Sequence, residues 1–176
     1  GMVISSSSPA VAARCAHVRA GVGVVASQNV TDPALGPLAL DALERGLPAP
    51  DALKAVTDGR PHIDYRQLLV VDRAGATAIH SGRQVLGIWG EAQGHDCAAG
   101  GNLLANDSVP AAMVAGFEAA TGHLGDRLIA ALRAGLAAGG EALACQPWRA
   151  STSAARVSSV VWLSANAAPA CDGVLS

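Results

Sequence analysis

A chain of 176 residues is long enough for one domain with a sizeable core and too short for two of ordinary size. Its formal net charge of −2 argues against a general surface for nucleic acid or anionic membrane. Apolar residues make up 51% of it but aromatics only 3%, so Ala, Val and Leu have to fill the interior.

The first residues have neither a basic segment nor a long apolar one, and no apolar run approaches the roughly twenty residues that span a bilayer. A cytoplasmic protein is expected. Cys15, Cys97, Cys145 and Cys171 are scattered without C-x-x-C spacing, which reads as reduced thiols rather than a metal site or a disulfide framework. No metal and no cofactor are expected.

Taken in order, Met2–Ser8 reads as a short strand. Ala20–Ser27 reads as a second, buried on both faces because its apolar run hardly alternates. Pro9–Ala16 between them is a turn of helix or a loop. Asp32-Pro33 has the form of a helix start, with Leu35, Leu38, Leu40 and Leu43 on the buried side and Arg45-Gly46 at its end. A shorter helix follows from Pro50-Asp51 to Thr57, then a turn at Asp58-Gly59. Gln67–Asp72 is the clearest strand, joined through Arg73-Ala74-Gly75 to Thr77–His80 as a β-hairpin. Ser81–Gly101 is glycine-rich and expected to be irregular, and Asn102-Leu103-Leu104 to be a short strand. Asn106-Asp107-Ser108 caps a helix that turns Met113, Val114 and Phe117 inward. Gly125-Asp126 opens another, with Leu128, Ile129, Leu132 and Leu136 on one face and Gly139-Gly140 at its end. Clustered strands and clustered helices give an α+β layering, not an alternating doubly wound sheet.

Several segments then fall into a known order. Ser5-Ser6-Ser7-Ser8-Pro9-Ala10-Val11, Arg19-Ala20-Gly21-Val22-Gly23, Gln28-Asn29-Val30-Thr31-Asp32-Pro33 and Leu35-Gly36-Pro37 resemble the bacterial family of unknown function DUF1028. So do Tyr65-Arg66-Gln67-Leu68, Ser81-Gly82, Gly101-Asn102-Leu103-Leu104 and the run from Ala134 to Gly140. That family is classed with the N-terminal-nucleophile (Ntn) hydrolases. The resemblance covers about residues 1–141 and implies a four-layer αββα sandwich, two antiparallel sheets between helical layers. Family members carry a further strand ahead of the position of Gly1 and continue past the double glycine into an apolar strand. On that pattern residues 142–176 are a divergent segment, with Val157–Leu163 as one more strand of the same domain. A reading-frame shift near Glu141 is the hypothesis for the change in composition; translating the other frames of the coding DNA tests it.

The resemblance implies amide-bond hydrolysis of a small polar substrate. Ntn chemistry needs a Thr, Ser or Cys at a free strand end, with its own α-amine as base and fixed donors for the oxyanion. Gly1-Met2 offers no such group, so internal hydroxyls are the candidates. Ser8, where the strand must turn at Pro9, comes first, and Ser5 next. The same serines also suit satisfaction of local backbone groups. Gln28, Asn29 and Asn102 lie at strand ends and are candidate substrate-binding amides. Arg66 either holds a substrate carboxylate or stands as a solvated charge with Asp64. The rival reading is a non-catalytic homologue that binds a ligand or serves as an oligomeric scaffold. Small-molecule substrate, no nucleic acid, no membrane and a homodimer through a free sheet edge complete the expectations.

Overall fold

Gln67–Asp72 is buried at every position and lies inside a sheet, as its unbroken apolar run requires. The computed structural model describes residues 1–6 and 10–142, and the backbone of 160–164. In chain order the elements are β1 (Met2–Ser5), α1 (Val11–Cys15), β2 (Ala16–Arg19), β3 (Gly23–Gln28), α2 (Leu35–Glu44) and α3 (Ala49–Thr57). A 3-10 turn (Ile63–Tyr65) leads to β4 (Gln67–Asp72), β5 (Thr77–Ser81), β6 (Gly90–Gly94) and β7 (Cys97–Gly101). Then come α4 (Val109–Ala119), α5 (Leu124–Ala137) and β8 (Val160–Ser164). They form two four-stranded antiparallel sheets, in the orders β1-β8-β7-β6 and β2-β3-β4-β5.

Side-chain alternation sorts the interior into three clusters. Val25, Leu68 and Val70 point to one face of the second sheet and pack against Leu35, Leu40, Leu43, Leu53 and Val56 of α2 and α3. Val24, Ala26, Leu69 and Val71 point to the other face and meet Ala98, Met2 and Ile4 of the first sheet. Cys97 and Ala99 carry the first sheet onto Val109, Met113, Phe117 and Leu128 of α4 and α5. The two sheets therefore face one another, and each has helices packed on it.

Two hairpins depart from the sequence reading. Expected as one strand from Ala20, the chain instead makes β2 and β3 around a turn at Ala20–Val22, where Gly21 takes φ +72°. The stretch expected to be irregular holds the β6–β7 hairpin, whose turn sets Asp96 at φ 58°. Cys97-Ala98-Ala99-Gly100-Gly101 reads weakly as a strand because its side chains are so small. Their smallness is what the position demands: a Cβ on Gly100 would stand 3.2 Å from both methyls of Leu69 across the sheets. Asn102–Leu104 is an isolated bridge from Leu104 to Glu141 rather than a strand. Ser7, Ser8 and Pro9, the far end of the expected first strand, lie outside the described residues, as does most of 143–176.

The helices fall within a few residues of expectation, with different caps. Asp32 Oδ1 accepts from Ala34 N (3.1 Å), and Asn106 Oδ1 from Ser108 N (3.0 Å). α5 is capped by His123, whose Nδ1 accepts from Gly125 N (3.1 Å). Leu38 and Ile129, expected inward, are exposed.

His17 on β2 is pressed against α2. A Cβ on Gly36 would fall 2.0 Å from its ring, so the glycine is the space the imidazole occupies. Its Nε2 is buried without a partner among the described residues. Burial lowers the His17 pKa, against a backbone hydrogen bond to Arg14 that raises it. The unfolded chain then binds the proton more readily than the folded one. The resulting stability is complete above the ordinary histidine value near 6.5 and is lost as pH falls below it. The thermal midpoint should drop between about pH 7.5 and about pH 5.5, and drop less in His17→Phe. Equal slopes for the two proteins would exclude His17 as the cause.

Candidate functional site

At the ends of β3 and β7 the backbone leaves ordinary geometry in three places. Asn29 (φ 57°), Val30 (φ 46°) and Leu103 (φ 55°) are all left-handed, a conformation particularly adverse for a β-branched residue such as Val30. All three line one cavity of ≈ 190 Å³, together with Ser6, Val11, Arg14, Cys15, Gln28, Thr31, Leu86, Asn102 and Glu141. Strained backbone collects where the surroundings over-determine a site.

Its polar groups are deeply placed. Gln28, Asn102 and Glu141 are 2%, 5% and 6% exposed. Gln28 Oε1 and Asn102 Nδ2 are buried and have no hydrogen-bond partner among the described residues. A buried amide left so is costly unless something else satisfies it. Cys15 Sγ lies 3.4 Å from Thr31 Oγ1 on the same wall.

A polar row behind the cavity fixes Gln28. Gln28, Gln67 and Ser81 are neighbours across β3, β4 and β5. Gln28 Nε2 donates to Gln67 Oε1 (2.6 Å) and to Gly100 O of the facing sheet (3.3 Å). Gln67 Nε2 donates in turn to Ser81 Oγ (2.9 Å) and Gly90 O (3.2 Å), and Ser81 Oγ–H to Glu91. Both Gln28 N–H bonds are thereby spent on the wall, which leaves its Oε1 as the atom to offer a ligand.

Of the residues singled out in the sequence, Gln28, Asn29 and Asn102 converge on this cavity. Asn29 is a clamp: its Nδ2 donates to Tyr65 O and its Oδ1 accepts from Leu86 N, holding the 82–89 loop against the rim. Ser5 is half-buried in β1 and outside the lining, which takes Ser6 instead. Ser8 lies outside the described residues. Arg66 is not in the lining. Its Nη1 is buried without a partner among the described residues, and it stands near Asp32. Asp64, its expected partner, pairs with Arg83 (3.2 Å). Burial would raise the Asp32 pKa, but the Ala34 N–H and the Arg60 guanidinium outweigh it and hold the value down. Arg14, Cys15, Thr31, Leu86 and Glu141 were not anticipated, and each is unremarkable in its own stretch of sequence.

A larger groove of ≈ 360 Å³ runs beside Leu38, Ala42, Val56, Arg60 and Pro61, but none of the unpartnered buried atoms lines it. Cys97, also buried, is not in the smaller cavity; desolvation, with Glu118 nearby, pushes its thiol to about 11. Among the described residues no three His, Cys, Asp or Glu side chains gather as a metal site would need, and no helix is long and apolar enough to cross a membrane.

A model for a family of unknown function, DUF1028, matches residues 1–162, past the point where the resemblance was expected to end. The crystal structure of protein SPO2555 from Silicibacter pomeroyi, which carries the same family model, is similar at a TM-score of 0.74 and 31% identity. The similarity covers 77% of this chain and 61% of that one, so the chain spans less than two thirds of that relative's length. No curated protein matches the chain.

Proposed function

The chain belongs to the DUF1028 family, and on that premise we propose that it is an Ntn-hydrolase-like amide-bond hydrolase whose attacking group is internal, its small polar substrate held in the cavity between the ends of β3 and β7. Two facing antiparallel sheets, with α2 and α3 on one and α4 and α5 on the other, support reading the fold as a four-layer αββα sandwich. The observation that carries the substrate site is the pair of buried, unpartnered amide atoms, Gln28 Oε1 and Asn102 Nδ2.

Amide hydrolysis requires an attacking hydroxyl or thiol and a donor for the oxyanion. Asn102 Nδ2 supplies the donor, and Gln28 Oε1 accepts from the substrate N–H. Ser6, Cys15 and Thr31 bring hydroxyl and thiol groups to the wall, with Ser5 and Ser8 close by in sequence as the candidate attackers. The second reading, a protein that binds without turnover, is favoured by the neutrality of Gln28 and Asn102. Two fixed amides recognise a ligand without activating a nucleophile.

A β-lactam panel separates the two. A hydrolase should retain an acyl group on Ser5, Ser8 or one Ser, Thr or Cys of the cavity wall, seen by intact mass and peptide mapping. No adduct on any residue, under conditions that label a known Ntn hydrolase, would leave the binding reading alone.

A further inference from the structure

The cavity also carries information about which amides it takes, an inference that rests on the placement of the substrate site above but not on turnover. We propose that its ligand is a small aliphatic carboxamide, read at the amide by Gln28 and Asn102 and at the alkyl end by Val30, Leu86 and Leu103.

The polar half follows from the hydrogen bonds. With both Gln28 N–H groups committed to Gln67 Oε1 and Gly100 O, the row behind the cavity fixes which end of the Gln28 amide is left over. What remains is one acceptor, Gln28 Oε1, and one donor, Asn102 Nδ2, on two residues that line the same space. A carboxamide presents the complement, an N–H and a C=O on one rigid plane. An ester of the same shape offers no hydrogen to Gln28, and its binding should be weaker by roughly ten-fold or more. A carboxylate has no hydrogen for Gln28 Oε1 and sets its lone pairs against it, and the two charged residues of the lining, Arg14 and Glu141, are opposite in sign.

The apolar half follows from the rim. Val30 and Leu86 line the cavity and yet remain 53% and 48% exposed, so an alkyl group resting on them removes apolar surface from water. Each methylene so covered should strengthen binding about four-fold. Asn29 holds the Leu86 backbone in place, and Leu103 N donates to Leu86 O (3.1 Å), so the rim is fixed rather than loose. The volume of ≈ 190 Å³ caps the ligand. A cavity of about 150 Å³ holds benzene, so a ligand of roughly six to ten heavy atoms fits.

The test is a chemical-shift titration of the chain with butyramide, acetamide, methyl butyrate and butyrate at millimolar concentrations. Butyramide should bind most tightly, about ten-fold above methyl butyrate and butyrate, and about sixteen-fold above acetamide for its two extra methylenes. Perturbations should centre on Gln28, Asn102 and Leu86. Leu86→Ala should shrink the advantage of butyramide over acetamide while leaving acetamide itself little changed, and Asn102→Asp should weaken both. Equal binding of butyramide and its ester, shifts centred on the Leu38–Arg60 groove, or no binding by a chain whose spectrum is well dispersed would each overturn the proposal. Binding alone is read, so hydrolysis can fail while this selectivity holds. Conversely, an acyl adduct formed without amide preference would uphold catalysis and discard this ligand class.

Discussion

Asp72→Ala is expected to remove roughly 3 kcal/mol of stability, because one carboxylate at the end of β4 satisfies three backbone N–H groups. Asp72 Oδ1 accepts from Ala74 N (2.9 Å) and Ala76 N (3.0 Å), closing the turn into β5. Asp72 Oδ2 accepts from Ala49 N (3.0 Å) at the start of α3, a fully buried residue. The side chain is 7% exposed, so water cannot readily replace it. A chain of this size shifts its thermal midpoint by about 2–4 °C per kcal/mol, which puts the expected fall near 10 °C. Asp72→Asn keeps one oxygen but turns an amide N–H toward one of the three donors, so it should recover part of the loss and not all. A midpoint for Asp72→Ala within two degrees of the parent would show that the loop and helix start find other acceptors.

That aspartate also marks how far the sequence could be read. Gln67–Asp72 was legible in full, since six consecutive buried positions leave an uninterrupted apolar run. The helices were legible to within a few residues, because Asp32, Asn106 and the glycines at 46 and 139 punctuate them. β6 and β7 were not. Glycine and alanine there answer a constraint from the facing sheet, Leu69 against Gly100, that no local pattern expresses. Leu38 and Ile129 misled for a related reason: helical spacing marks an apolar stripe, but which edge of it is covered depends on where the neighbouring element stops. The site divides the same way. Gln28, Asn29 and Asn102 stood out as polar residues at strand ends. Cys15, Thr31 and Glu141 join them only because α1, the β3–α2 loop and the chain after α5 close over one point, which is a property of the fold and not of any segment. The role of Gln67 escaped as well, although it opens the clearest strand in the chain.

Gln67→Leu is the second large effect expected, about 2–4 kcal/mol, and it ties stability to the cavity. Gln67 is fully buried on the face of β4 that meets the other sheet, the face that Leu69 and Val71 share two and four residues further along. Leucine matches its bulk and its apolar surroundings, so a simple hydrophobic account predicts little change or a gain. The hydrogen bonds predict the opposite. One substitution takes an acceptor from Gln28 Nε2 and the donor from Ser81 Oγ and Gly90 O, so groups on three strands each lose a partner, Gln28 keeping only Gly100 O and Ser81 only Glu91. Ser81→Ala removes one acceptor from the edge of the row, where Glu91 is exposed, and should cost about 1 kcal/mol or less. Gln28 would also lose the shorter of the two bonds that fix its orientation, so carboxamide binding should weaken in Gln67→Leu and hold in Ser81→Ala. Chemical denaturation and the butyramide titration on the same two variants separate the cases. A Gln67→Leu chain as stable as the parent, with butyramide binding intact, would mean that the row neither supports the sheets nor sets the cavity's polarity.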